Sequence, residues 1–445
     1  MLKTTDNNCG SLKLSSNHVS NLSIIANKKI GSLISTDNTN LLIFPHDLNQ
    51  YGDKISDEHV FEIHDSILTT GNIMGFIGVN DSEITIKSRF SKDDNDYFLH
   101  YMLQKVFSIN LFDLKHGTNQ NSIFDFLLYL FPFYLKKALR QGIYKEYNKR
   151  EYNNSDVRGT INLNRHIREN IPFVGRITYR VREHSYDNRI TQLIRHTIEF
   201  IRQHKFAHGI LYADLETQNC VLQITQATPC YNNNQRISII NKNLKQLHHP
   251  YFSEYKDLQK ICLQILKYEG IKYGNEKNKI YGLLFDGAWL WEEYLDKLLS
   301  KQGFKHPKNK SSEGAIYLFN KSKCKRFPDF WKEGHILDAK YKRIEGREAE
   351  KIDRNDMNQI ISYIYVLQAI IGGFICPSES EDTGAKLYSL GILNGYGGEV
   401  DIWSLSIPRK AENFTAFRNE MNNNEKLLIN LIEKQDRKAR TSCSE

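Results

Sequence analysis

Short strand-like runs dominate the chain from Val19 to about Phe90. Leu41-Leu42-Ile43-Phe44 is a compact apolar run. Glu83-Ile84-Thr85-Ile86-Lys87 alternates with period two, which sends successive side chains to opposite faces of a strand. Turn signals at Gly71-Asn72 and Asn80-Asp81 separate such runs, so this stretch predicts a small β-rich region. Residues 1–17 are polar and are expected to be disordered. Helical periodicity follows over Tyr97 to Phe107 and again from Ile123 to about Lys149, with a break near Pro132. The basic residues ending that second helix (Lys136, Lys137, Arg140, Lys145, Lys149, Arg150) are expected as a solvated helix end, with phosphate or partner contact as the alternative.

From 151 to 205 the pattern predicts an Asn-rich turn, a strand at Gly159 to Leu163, another at Ile177 to Val181, and a long helix from about Asn188 to His204. Residues 210–275 read as mostly helical, interrupted by the polar run Tyr231 to Gln235. The character changes near Lys279. A helix is expected from about Phe285 to Gln302, then a basic stretch from Lys301 to Arg326. Strands follow at Ile316 to Phe319, Phe327 to Phe330 and His335 to Lys342. A helix from about Asn355 to Ile371 and strands at Gly373 to Cys376 and Lys386 to Leu393 complete the pattern, with a polar, frayed tail after about Lys434. The overall expectation is an α+β multi-domain chain: a β-rich then helical region at 1–150, a mixed strand and helical region at 151–275, and a compact α/β domain at 276–445.

Composition narrows this only slightly. The 445 residues suit two or three domains, and 40% hydrophobic with 25% charged residues is ordinary for a folded protein. The net charge of +8 is compatible with a nucleic-acid partner without establishing one. Seven scattered cysteines include no CxxC pair, which argues against a disulfide framework or structural zinc and fits a reducing cytoplasm. The N-terminus lacks a signal-peptide core. No membrane span is expected: Phe124 to Leu135 is too short and contains Asp125 and Pro132, and Ile360 to Cys376 reads as a buried helix followed by a buried strand.

The candidate chemistry lies in the run from Arg326 to Lys340. Asp338 and Lys340 sit two apart in an alternating strand, so both side chains leave one face. Asp329 is placed at the end of a preceding strand, and Gly334 can make the turn that brings it beside Asp338. Two carboxylates held that close repel each other, and a bound divalent cation relieves the repulsion. Magnesium takes oxygen ligands and retains waters, so Asp329, Asp338 and the Ala339 carbonyl suffice to hold it. Lys340 is then placed to orient or help deprotonate an attacking water and to offset charge on a phosphate. A bare Asp-x-Lys is a common surface pair; here both carboxylates are embedded among apolar and aromatic residues. His248-His249 has no third ligand at useful spacing, and His335 is expected to be structural.

Pro328-Asp329 with Asp338-Ala339-Lys340 resembles the PD-(D/E)xK nuclease superfamily in its D-x-K form. The flanks resemble McrC-like subunits of McrBC-type (or LlaJI-type) restriction systems. These are the Phe285-Asp286-Gly287-Ala288-Trp289-Leu290-Trp291-Glu292-Glu293-Tyr294-Leu295 helix, the Asp356-Met357-Asn358-Gln359 helix followed by Tyr363, and upstream Val157-Arg158-Gly159-Thr160-Ile161 and Ser185-Tyr186-Asp187-Asn188. Asn358 departs from the aromatic often found before that Gln. The resemblance touches about residues 155–395. It implies a restriction-endonuclease-like core cutting double-stranded DNA with Mg2+, or Mn2+, in an oligomeric complex with a McrB-like AAA+ GTPase that residues 1–270 would contact and stimulate. It implies Asp329 and Asp338 as metal ligands and Lys340 as the catalytic lysine. Glu292 is the helix acid reaching the metal through a water, or else a capping or surface Glu, with Glu293 its rival. Gln359 positions the phosphate or the lysine, or is a structural amide, and Tyr363 is more a core residue than a catalytic one. The basic segment 301–326 is either a solvated face or a phosphate grip. The absence of a GxxxxGK[ST] loop means that nucleotide hydrolysis by that route belongs to another subunit. Two other functions stay open: an autonomous sequence-specific endonuclease, and a non-catalytic regulator of an NTPase ring.

Overall fold

In the computed structural model, which describes residues 2–35, 39–45, 55–80, 82–92, 96–107, 122–204, 208–273, 280–307, 314–321, 323–379, 384–395 and 397–442, the alternating N-terminal runs become strands. The chain forms two units, one from Met1–Ile109 with Glu276–Glu445 and one from Asn110–Asn275. In chain order the first part holds β1 (Leu2–Thr5), β2 (Leu12–Lys13), α1 (Ser16–Leu22), α2 (Ile30–Ser35), β3 (Thr39–Phe44), β4 (Phe61–His64), β5 (Ile67–Thr70), β6 (Ile73–Val79), β7 (Ser82–Lys87) and α3 (Tyr97–Phe107). Every residue of β6 is buried, whereas β7 alternates buried and half-buried, as its sequence predicts.

The polar N-terminus is ordered from Leu2, contrary to expectation. β1 pairs in parallel with β7. The buried Asp6 carboxylate accepts hydrogen bonds from the Arg89 backbone N–H (2.5 Å) and from Arg89 Nε (2.8 Å). Asp6 is retained inside because Arg89 partners it, which local hydropathy does not report.

The second unit holds α4 (Ser122–Leu139), β8 (Glu146–Asn154), β9 (Thr160–Ile161), α5 (Leu163–Glu169), β10 (Ile177–Ser185), α6 (Arg189–Gln203), α7 (Leu215–Ala227), α8 (Arg236–Lys242) and α9 (Tyr255–Tyr273). Its sheet runs β8-β10-β9. α6 starts on the capping box of Asn188 and Thr191. Two expectations are corrected here. α4 runs through Pro132, and its basic end stops at Leu139, so Lys149 and Arg150 lie on β8 instead of a helix.

The last segment returns to the first unit with β11 (Ile280–Asp286), α10 (Gly287–Leu299), β12 (Ile316–Phe319), β13 (Lys323–Arg326), β14 (Phe330–Lys332), β15 (His335–Ala339), α11 (Arg354–Leu367), β16 (Ile371–Ser378), β17 (Ala385–Ile392), β18 (Glu399–Ser406) and α12 (Phe414–Ser442). β11, which begins before the expected helix, completes the N-terminal sheet in the order β1-β7-β6-β11-β3. Asp286 ends that strand and caps α10, its carboxylate accepting the Trp289 N–H at 2.7 Å. A second sheet, β14-β15-β16-β18-β17, carries the candidate site. β15, β16 and β18 are parallel, and β14 and β17 are antiparallel edges.

On one face, Ile336 packs with Ile360, Tyr363 and Ile364 of α11. On the other, His335 pairs with Asp436 of α12 at 2.7 Å, and buried Gln435 donates to Asp401 at 2.9 Å. The tail is therefore helical to Ser442 and held by partners on the sheet, not frayed after Lys434. Gly373 is required in β16, because a Cβ there would stand 1.9 Å from the Asp401 carbonyl oxygen. The chain is α+β, with helices and several sheets.

Candidate active site

The site forms where the β14–β15 hairpin meets α10 and α11. Gly334 turns the hairpin at φ +75°, a conformation that favours glycine. Register then fixes the geometry: Phe330 stands opposite Leu337, so the residue before Phe330 stands level with Asp338. That residue is Asp329. It lies between β13 and β14, at the start of a strand and not at the end of one as expected. Asp329 Oδ2 accepts the Ala339 backbone N–H at 2.8 Å. Lys340 follows the end of β15 and donates its N–H to the Ile375 carbonyl at 2.9 Å, which keeps it in line with the strand.

Asp338 is 1% exposed. Its charge is met by the Lys340 ammonium, 2.6 Å from Oδ2. Lys340 Nζ also lies 3.1 Å from Asp356 Oδ1 and donates to Gln359 Oε1 at 3.5 Å. Gln359 donates in turn to Tyr363 at 3.0 Å, and the Tyr363 hydroxyl donates to the Phe327 carbonyl at 3.3 Å. One turn of α11 thus ties the lysine to the segment that carries Asp329. Tyr363 is 2% exposed and packs in the core beneath the site.

α10 supplies the third acidic position. Trp291 anchors the helix by donating to the Ile375 carbonyl at 3.3 Å. The next residue, Glu292, raises the pKa of Asp329 by its charge, and its Oε1 lies 3.7 Å from His306 Nε2. His306 stacks on Phe330 with centroids 5.0 Å apart, and its Nδ1 lies 2.8 Å from the Asp329 carbonyl oxygen. It links Glu292 to the Asp329 segment. No periodicity or spacing in the sequence points to His306, because its neighbours come from α10 and β14.

Burial holds Asp329 well above the usual carboxylate range. The charges of Asp338 and Glu292 add to this, against the opposing Lys340. Burial likewise raises Asp338, against the pull of Lys340. For Lys340, burial favours the neutral amine, but Asp338, Asp356 and Asp329 together outweigh it and raise its pKa. Asp356 is lowered despite its burial, because Lys342 (2.9 Å) and Lys340 pair with it.

Two crowded carboxylates with raised pKa values have the chemistry of a divalent-cation site, since a dication reverses both penalties. Among the described residues no group of three His, Cys, Asp or Glu side chains is arranged to hold an ion. The direct protein ligands on offer are Asp329, Asp338 and the backbone carbonyl of Ala339. Lys305, Lys321, Lys323, Lys325 and Arg326 of the basic stretch are described, whereas Lys308, Lys310 and Glu313 lie outside the described residues. His248 and His249 are exposed, and His249 Nδ1 accepts the N–H groups of Tyr251 and Phe252 as a turn cap.

Fold and site together define a two-unit α+β protein with an Asp–Asp–Lys centre, its Asp338 buried, at a sheet hairpin. The chain belongs to the family described as McrBC 5-methylcytosine restriction system component, whose model matches residues 68–377. No curated protein matches it. Among solved structures, it is similar to a chain in the half-complex from the tetradecameric assembly of Thermococcus gammatolerans McrB AAA+ hexamers with bound McrC. The identity is 16% over 88% of this chain and 90% of that one, with a TM-score of 0.44. A chain of the Thermococcus gammatolerans McrBC complex matches at 14% identity over 69% of this chain and 89% of that one, with a TM-score of 0.33. Among the described residues no helix is long and apolar enough to cross a membrane.

Proposed function

We propose that the chain is the DNA-cleaving subunit of a McrBC-type restriction system, a PD-(D/E)xK nuclease in its D-x-K form. It hydrolyses phosphodiesters of double-stranded DNA with Mg2+, or Mn2+, and works in the cytoplasm in an oligomeric complex with a McrB-like AAA+ GTPase. The observation that carries this reading is Asp338: a carboxylate 1% exposed, crowded by Asp329 and paired with Lys340. Burying such a charge is costly unless a cation completes the site. Family membership supports the restriction context.

Asp329, Asp338 and the Ala339 carbonyl would hold the ion, and Glu292 would act at its far side through a water. The bound ion supplies positive charge that acidifies water and offsets charge on the phosphate. Lys340 stays an ammonium, so its task is electrostatic: it faces the scissile phosphate and stabilises the charge that grows on the phosphoryl oxygens. Gln359 fixes the lysine's direction, and Asp356 gives it a second anchor. In the reaction a water oxygen bonds to phosphorus, the bond to the leaving sugar oxygen breaks, the water's proton passes to solvent, and the leaving oxygen takes up a proton from solvent to become a hydroxyl.

The test is plasmid cleavage with Mg2+, GTP and a McrB-like AAA+ GTPase, with each component withheld in turn. Wild type should cut only in the complete mixture, and Asp338→Ala should not cut. Cleavage by the chain alone with Mg2+ would make it an autonomous endonuclease. GTPase stimulation without any cleavage would make it a regulator.

A further inference from the structure

We propose that the β12–β13 hairpin is a DNA-backbone clamp that holds phosphates flanking the scissile one. This inference rests on the nuclease reading above. Lys323, Cys324, Lys325 and Arg326, the whole of β13, are exposed, as is Lys321 in the turn before it. The run from Gly314 to Arg326 contains four lysines and arginines between 321 and 326 and no acid, so the hairpin is basic in sequence. Hydrogen-bonded register pairs Phe319 with Lys323 and Tyr317 with Lys325, which makes the hairpin a defined element instead of a basic loop.

Its position is fixed relative to the site. Arg326 is followed by Phe327, whose carbonyl accepts the Tyr363 hydroxyl at 3.3 Å. Tyr363 is the partner of Gln359, which accepts from Lys340. Arg326 and Asp329 are three residues apart, a reach of at most about 10 Å along the chain. A strand carrying Lys323, Lys325 and Arg326 therefore leads directly into the loop that presents the first carboxylate. The matching partner is a polyanion with charges repeated at nucleotide spacing, running through the site: the DNA backbone. Within the basic stretch, this assigns the grip to the hairpin.

The experiment is fluorescence anisotropy of a labelled random-sequence duplex titrated with the full chain in EDTA, across 50–200 mM salt. The variants are Lys323→Ala/Lys325→Ala/Arg326→Ala and the charge-keeping Lys323→Arg/Lys325→Arg/Arg326→Lys. Three lost phosphate contacts reduce the log–log salt slope by about 2.7, so wild type should lose about 40-fold more affinity over that range than the alanine variant. The charge-keeping variant should behave as wild type. An alanine variant with unchanged affinity and slope overturns the proposal, and so does a wild-type chain that does not bind the duplex at 50 mM salt. The two readings fail separately: binding with the predicted slope change but no cleavage in the complete mixture sinks the nuclease reading alone, whereas cleavage with an unchanged slope sinks the clamp alone.

Discussion

Replacing Asp338 by Asn and Lys340 by Met should have opposite consequences for stability, although both should abolish cleavage. The two groups form a buried ion pair at 2.6 Å, with 1% and 15% side-chain exposure. At an effective dielectric constant of 20, that separation gives a gross attraction of roughly 6 kcal/mol. Desolvation of the two ions costs several kcal/mol each, so the net value of the pair is small. The raised pKa of Asp338 shows that burial outweighs the lysine in its balance. Asn keeps the shape, removes the buried charge and leaves Lys340 paired with Asp356 at 3.1 Å. The metal-free Asn variant should therefore be within about 1 kcal/mol of wild type, on the stable side, as for other relieved site strains. Met, in contrast, removes the cation that faces Asp338, Asp356 and Asp329 together, and should cost about 3–5 kcal/mol. Urea unfolding of both variants in EDTA, followed by tryptophan fluorescence, measures the difference. All four tryptophans lie at positions 289–403, in the unit that carries the site. Added Mg2+ should raise the wild-type midpoint and leave the Asn variant unmoved. An Asn variant destabilised as much as the Met variant would refute the claim that Asp338 is an electrostatic liability retained for a cation.

Two further outcomes follow from single residues. His306→Phe keeps the stack on Phe330 but loses the links to Glu292 and the Asp329 carbonyl, so cleavage should fall by about 10–100-fold with little change in the unfolding midpoint; unchanged single-turnover rates would dismiss the link. His196 is buried with neither ring nitrogen hydrogen-bonded, and burial, then Arg236 and Arg195, push its pKa from 6.5 down to about 4. Its folded pKa is depressed, so its contribution to stability is complete above pH 6.5 and is lost as pH falls through about 4. Urea midpoints by circular dichroism should decline across that window, and His196→Leu should flatten the decline.

Long periodic elements were the legible part of the fold. Tyr97 to Phe107 is α3 as its pattern predicts, and α6 occupies Arg189–Gln203 between the expected Asn188 and His204, because a side-chain cap marks its start. Elements decided by distant partners were not legible. Pro132 predicts a break, since it lacks an N–H and crowds the preceding turn at a cost of about 3 kcal/mol. Leu128, Phe131, Tyr134 and Leu135 are buried around it, and their packing outweighs that cost. The polar ends are ordered by Asp6 with Arg89 and by Asp436 with Lys332 and His335, pairs separated by about a hundred residues or nearly so. In the site, the hairpin turn at Gly334 and the shared face of Asp338 and Lys340 followed from strand periodicity. That Glu292 acts by its charge on Asp329 needed the direction of α10, and His306 needed the fold itself.

If Asp329, Asp338 and Lys340 form a DNA-cutting centre, the single-turnover rate of DNA cleavage by purified Lys340→Ala protein, measured beside wild type with the GTPase, GTP and Mg2+ present, reads it out. The rate should fall by at least about 100-fold, the scale on which one charge-stabilising group acts in a transition state. A Lys340→Ala protein that cuts DNA as fast as wild type would contradict that assignment.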